Sequence, residues 1–344
     1  MRPLGNVRVV DVTVSLAGPY CTQLLGALGA DVIKVERPGA GDETRAWGLD
    51  GESPLFLSAN ANKRSLALDL STDEGRDSVV RLADEADVFV QSLRPGLAER
   101  LGLGAAELRA RNQRLVYCSI GAFGGEGPLR QEAGYDPLMQ AAAGIMSVTG
   151  EKDGPPVRVG VSLVDQATAL WGALGILLAL GERQRTGEGT TVEVSLYEAA
   201  VSLMAYHVID YLRTGSIPGR HGTAFPLIAP YESFEAKDGP LMVPPLASRP
   251  ARSTTSRTSP AASRRERSAY YRASAIYSSS RRRSRSTENG SCTRLHRPNS
   301  APLPTSSSAS CEMARDVPHD AAVQPQDRAA SAPVYRLTVA GPAR

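Results

Sequence analysis

Residues 7–36 read VRVVDVTVSLAGPYCTQLLGALGADVIKVE, and the patterning of this stretch decides the fold. Val7 to Val12 is a β-branched run, which suits the pleated surface of a buried strand. A polar turn through Ser15, Gly18 and Pro19 interrupts it. TQLLGALG then has helical composition, and Asp31 to Glu36 is a second β-branched run. Strand, helix and strand in so short a span make a βαβ unit, whose two strands must run parallel. Outward from this unit the alternation continues. SLALDL (Ser65–Leu70), ADVFVQS (Ala86–Ser92), RLVYCSI (Arg114–Ile120) and TTVEVS (Thr190–Ser195) read as further strands. Helices are predicted from Thr72 to Glu85, opening on a cap-like Ser-Thr-Asp-Glu run, from Asp165 to Arg183, and from Leu196 to Arg213. The expected fold class is α/β, with a doubly wound, Rossmann-like parallel sheet.

Composition divides the chain at Val243–Pro244. Residues 1–243 hold all four Lys, 18 Arg and 30 acids, a net charge of −8, together with 30 of the 32 Gly. Residues 244–344 hold 17 Arg, no Lys and six acids, a net charge of +11, with 19 Ser and two Gly. The overall charge of +3 is an average of opposite halves and says nothing about partners. The first part is long enough to bury a large core. MRPLGNVRVVDVT lacks the apolar run and cleavage site of a secretory signal, and no uninterrupted apolar run reaches the roughly 18 residues of a membrane span. A cytoplasmic location without a membrane partner is expected. Cys21, Cys118, Cys292 and Cys311 have neither CxxC nor metal-ligand spacing, so neither disulfides nor a metal site are expected.

An acid closing the second strand, Glu36, is where a dinucleotide-binding fold would hold a ribose diol. The glycine fingerprint is missing. The turn reads TVSLAGPYCTQ, with Pro19 where flexible backbone would approach a pyrophosphate, so neither nicotinamide nor flavin is expected. Arg37 follows the strand directly, and the loop PGAGDETR carries Arg45. Guanidinium forks fit phosphate oxygens, although a solvated loop arginine has the same spacing. Asp165 stands at the start of an apolar helix after the extended GVSLV. There, unpaired amides and the helix dipole stabilise an ionised carboxylate by roughly 0.3–2 kcal/mol. On position alone an N-terminal cap accounts for it equally well.

Four blocks carry a family resemblance: LAGPYCTQLLGALGADVIKVERPGAGDETR, NANKRSLALDL, VQSLRPGLAERLGL and RVGVSLVDQATALWGALGILLALGERQRTGEGTTVEVSLYEA. Together and in this order they resemble the class III CoA-transferases, whose members include formyl-CoA transferase, carnitine-type CoA-transferases and α-methylacyl-CoA racemase. The resemblance spans essentially residues 1–243. It implies a large domain over 1–223 and a hinge with the start of a smaller α/β domain over 224–243. In 244–344 that smaller domain and the returning C-terminal segment look missing, replaced by an Arg/Ser/Pro/Ala-rich tail. The tail has too few buried-type residues to offset chain entropy and is expected to be disordered. A reading-frame slip in a GC-rich gene accounts for it better than a basic nucleic-acid-binding arm, since the ordered aromatic interleaving of a single-strand binder is absent. No specific nucleic-acid partner is expected.

By the same resemblance Asp165 is the catalytic nucleophile of an acyl-CoA:carboxylate CoA-transferase that works through a mixed anhydride and an aspartyl-CoA thioester. Coenzyme A, as the acyl-CoA substrate, would lie along the carboxyl ends of the sheet against Leu16, Ala17, Arg37, Leu68, Ser92, Leu93 and Arg100. Leu16 stands where formyl-CoA transferase has Gln, which implies a bulkier or less polar acyl group. Tyr135 stands where the racemases have a proton-shuttling His, and a phenol is poorly matched to that task at neutral pH. Transfer is therefore favoured over the alternative, racemisation or epimerisation. Tyr135 and Asp136 are expected at the acyl site, with a plain helix start as the other role for Asp136. The family forms an interlocked homodimer. Lacking the second domain, this chain is expected to be inactive and prone to aggregate, a non-catalytic remnant with a basic tail being the other reading.

Overall fold

The computed structural model describes residues 2–48, 53–237 and 239–243. The expectations for 244–344, namely disorder, a frame slip and loss of the second domain, lie outside these residues. Six strands form one sheet: β1 (Arg8–Val12), β2 (Asp31–Glu36), β3 (Lys63–Ala67), β4 (Val88–Gln91), β5 (Val116–Gly121) and β6 (Thr191–Ser195). Their order is β3-β2-β1-β4-β5-β6, and every adjacent pair is parallel. This is the doubly wound arrangement expected from the first βαβ unit. The direction of winding reverses between β1 and β4, so a crevice opens outside their carboxyl ends. A separate antiparallel hairpin is formed by β7 (Glu232–Ala236) and β8 (Gly239–Val243).

The helices are α1 (Ala17–Ala27), α2 (Pro54–Asn60), α3 (Asp73–Asp84), α4 (Leu97–Arg100), α5 (Ala105–Arg111), α6 (Asp136–Ala142), α7 (Ile145–Val148), α8 (Leu163–Thr186), α9 (Leu196–Leu203) and α10 (Ala205–Thr214), with a 3-10 turn over Glu43–Ala46. Residues alternate across the sheet because strand side chains point to opposite faces. Val9, Val88, Val90, Val116 and Cys118 face α1 and α8, whereas Val10, Phe89 and Tyr117 face α3 and α5. Each face is thereby sealed by its own apolar layer. α8 lies close against α1 because Gly172 has no side chain there; an added Cβ would sit 3.1 Å from the Cys21 sulfur.

Three local differences from the sequence reading have physical causes. α1 begins at Ala17, so Gly18 and Pro19 lie inside its first turn, where proline is tolerated because the amide it lacks would have no helical acceptor. The helix expected over Leu196–Arg213 is two helices meeting at Met204, whose φ of −85° and ψ of 4° fall outside the α region. α2, α4, α5, α6 and α7 run from four to seven residues, too short for hydrophobic periodicity to announce them. α8, by contrast, is long and apolar enough to cross a membrane by length and composition alone. Half of its most apolar stretch is buried within the fold.

Candidate functional site

Asp165 is the third residue of α8, not its cap. Ser162 occupies the cap position without a side-chain hydrogen bond. The capping carboxylate comes instead from α6: Asp136 Oδ2 accepts from the amides of Val164 at 2.7 Å and of Asp165 at 3.3 Å. Its Oδ1 accepts from Gln140 Nε2 at 2.6 Å, and Gln140 Oε1 in turn accepts from the Val159 amide at 2.8 Å. Asp136 is 2% exposed. The carboxylate that opens α6 thus also closes the N-terminus of α8.

The consequence falls on Asp165. Burial, and after it the negative charge of Asp136, push the Asp165 carboxyl up to about 7. This corrects the expectation that a helix N-terminus keeps Asp165 ionised, since Asp136 takes the amides that would have done so. The Asp165 carboxylate accepts no hydrogen bond among the described residues. It borders a cavity of about 460 Å³ lined by Ser15, Leu16, Trp47, Leu55, Tyr135, Asp136, Pro137, Ser162 and Asp165. An unpartnered, partly desolvated carboxylate bordering a largely apolar cleft has the chemistry of a nucleophile or a proton acceptor.

Behind the β1 and β2 carboxyl ends lies a buried network of charges. Asp11, fully buried on β1, accepts from Lys63 Nζ at 2.9 Å, from Thr22 Oγ1 at 2.7 Å and from the Thr13 amide at 2.9 Å. Burial alone would raise its carboxyl, but Lys63 and Lys34, with the two threonine hydroxyls, hold it at about 2. On β2, Lys34 Nζ donates to the Thr13 carbonyl at 2.8 Å and pairs with Asp42 Oδ2 at 2.9 Å. Glu36 is also spent. Arg45 grips it with Nε at 2.7 Å and Nη2 at 2.8 Å, and Ser65 donates to it at 2.6 Å. Burial works against these bonds, yet they bring Glu36 down to about 2. Both Glu36 oxygens are therefore taken and not free for a ribose, and Arg45 spends Nε and Nη2 on them. Arg45 also lies over the Phe56 ring at 3.8 Å, a cation–π contact.

The residues singled out in the sequence separate into three groups. Leu16, Tyr135, Asp136 and Asp165 line the one cavity. Arg37, Leu68, and Ser92 with Leu93 directly follow β2, β3 and β4, along the carboxyl edge of the sheet but outside that lining. Ala17 opens α1 as a buried residue, and Arg100 ends α4 on the surface. Ser15, Trp47, Leu55, Pro137 and Ser162 complete the cavity and were not singled out. A signal existed for Trp47 alone, one of two tryptophans in the chain and set in a polar loop. Ser15 has a left-handed φ of 68°, which a non-glycine residue in TVSLAGP does not advertise.

The profile described as "CoA-transferase family III" matches residues 4–259, running beyond the change of composition at Val243. The chain is 43% identical over 246 residues to the succinyl-CoA:glutarate CoA-transferase of Mus musculus, covering 71% of this chain and 56% of that protein. It is 43% identical over 254 residues to the succinyl-CoA:mesaconate CoA-transferase of Haloarcula hispanica, covering 71% of this chain and 64% of that one. Among solved structures, a CAIB/BAIF family protein from Brucella suis is similar with a TM-score of 0.66 at 40% identity, over 70% of this chain and 66% of the other. The chain thus spans between about half and two thirds of the length of these relatives.

Proposed function

Because the chain belongs to CoA-transferase family III, we propose that it moves coenzyme A from an acyl-CoA donor to a carboxylic acid, with Asp165 as the nucleophile. The observation that carries this reading is the carboxylate of Asp165, without a hydrogen-bond partner among the described residues and bordering the cavity at the carboxyl edge of the sheet. In the first step an Asp165 oxygen bonds the thioester carbonyl carbon, the C–S bond breaks, and CoA leaves as the thiolate. The thiolate then attacks the aspartyl carbonyl of the mixed anhydride, releasing the donor acid and leaving an aspartyl-CoA thioester. The acceptor carboxylate attacks that thioester to form a second anhydride and free the thiolate. Attack of the thiolate on the acceptor's acyl carbon yields the new acyl-CoA and regenerates the Asp165 carboxylate. No step needs water, and each intermediate is destroyed by it, so apolar walls such as Leu16, Leu55 and Pro137 protect the acyl group.

A carboxyl pushed up to about 7 is more basic than an ordinary aspartate and still ionises near neutral pH, which suits attack on a carbonyl. The mouse and Haloarcula hispanica relatives are named for succinyl-CoA, which makes it the first donor to test, with glutarate and less polar acids as acceptors. The test is to incubate the full chain with succinyl-CoA and reduce it with borohydride, which turns an aspartyl thioester into homoserine. Peptide mass is expected to place homoserine at position 165, and Asp165→Asn is expected to lower exchange at least about a thousandfold. Exchange that survives Asp165→Asn, or reduction at another residue, would overturn the assignment. We further propose that residues 244–344 leave turnover weak. Fusing residues 1–243 to the second half of the mouse relative raises the exchange rate if this is right and leaves it unchanged if not.

A further inference from the structure

We propose that Lys34 is a positioning residue for the acyl cleft, its buried ammonium group fixing the two loops that bring Ser15, Leu16 and Trp47 to the cavity. This rests on the reading of the cavity as the acyl site. The Lys34 side chain is 1% exposed, and the Asp42 carboxylate it pairs with is fully buried. One partner, the Thr13 carbonyl, precedes the turn that carries Ser15 and Leu16 into the cavity. Ser15 is held there in a left-handed conformation, which a serine keeps only when its surroundings enforce it. The other partner, Asp42, takes Lys34 as an ion pair on Oδ2 and accepts from the amide and hydroxyl of Thr44 on Oδ1, at 2.9 and 2.7 Å. Those bonds build the 3-10 turn that ends at Trp47. Within the turn, Arg45 stacks on Phe56, the neighbour of Leu55.

Ser15, Leu16 and Trp47 therefore lie on two loops that meet at a single nitrogen, and Leu55, on α2, is tied to the second through Arg45 on Phe56. A buried ion pair is weak as a source of stability, because desolvation offsets its attraction. Here it joins two loops at the site instead of two elements of the core, and Asp42 Oδ2 has no hydrogen bond to replace it. Losing it should let these loops move and blur the position of the thioester carbonyl relative to Asp165.

Trp47 supplies the probe, since Trp171→Phe leaves it as the sole tryptophan. In the full chain carrying that change, the amplitude of fast depolarisation of Trp47 fluorescence is expected to about double in Lys34→Met, which matches the length of lysine without its charge. Asp42→Asn should move it in the same direction by less, since the amide oxygen still caps Thr44. Val79→Ala, a cavity on the far side of the sheet, should leave it unchanged. A folded Lys34→Met with wild-type depolarisation, or an equal change in Val79→Ala, overturns the proposal. Should Lys34→Met fail to fold, the same two outcomes are read from Asp42→Asn. None of this requires turnover, so failure of the Asp165 chemistry leaves the result standing. Where thioester does label Asp165, Lys34→Met should slow labelling at saturating thioester without raising the half-saturating concentration.

Discussion

Asp11 and Asp165 are both withdrawn from water at the same end of one sheet, and they end at opposite extremes. Burial pushes each carboxyl upward. At Asp11 two lysines and two hydroxyls overcome it and hold the group at about 2, whereas at Asp165 the nearest charge is a second carboxylate and the group rises to about 7. Burial alone therefore does not decide protonation: neighbouring cations and hydroxyls overcome it at Asp11, while at Asp165 it is the larger cause and the Asp136 charge adds to it. No lysine or arginine lines the cavity that Asp165 borders, whereas Lys63 and Lys34 gather around Asp11. A helix N-terminus likewise belongs to whichever carboxylate reaches its amides first, and at α8 that is Asp136.

The comparison is broken most forcefully at Lys63. Lys63→Met leaves Asp11 buried without its closest cation and should destabilise the domain by about 3–5 kcal/mol in urea unfolding. A loss below about 1 kcal/mol would show that the lysines do not hold Asp11 down. The next largest effect is a slope. Between the ordinary aspartate value of 3.8 and about 7, the folded state keeps a proton on Asp165 that the unfolded chain has released. The contribution of this group to stability is thus complete below pH 4 and is lost as pH rises through 7. Asp165→Asn should accordingly gain on the wild type over that window, reaching ~1–3 kcal/mol by pH 8. Asp11 and Glu36 give the reverse slope, with stabilisation present above pH 4 and lost as pH falls toward 2. A flat difference between wild type and Asp165→Asn would mean that the Asp165 proton is not held. The smallest effect sharpens the cause. Asp136→Asn keeps an oxygen for the Val164 amide but removes the charge, so the carboxyl titration of Asp165, followed by carbon NMR, should move to lower pH. An unchanged titration would assign the shift to burial alone.

Much of the frame could be read without coordinates. β-branched runs separated by helical composition specified a parallel sheet, and the four sequence blocks pointed to the family whose profile the chain matches. Both signals are local, carried by residues a few positions apart. The site was less legible where its bonds join distant segments. Glu36 and Arg45 each looked available for a ligand until the turn over Glu43–Ala46 folded one onto the other. Trp47 and Leu55 reached the cavity through a turn and a short helix that periodicity cannot register.

From its order of residues alone, then, the chain determined the sheet, its winding and the placement of an aspartate near the start of an apolar helix, because strand and helix patterns repeat over short distances. Only the tertiary structure decided which carboxylate caps that helix, which acids are neutralised by lysine or arginine, and which one is left protonatable near pH 7. The physical reason is that these outcomes depend on charges brought together from positions far apart, Asp136 with Asp165 and Lys63 with Asp11, and electrostatic energy follows distance in space and not in sequence.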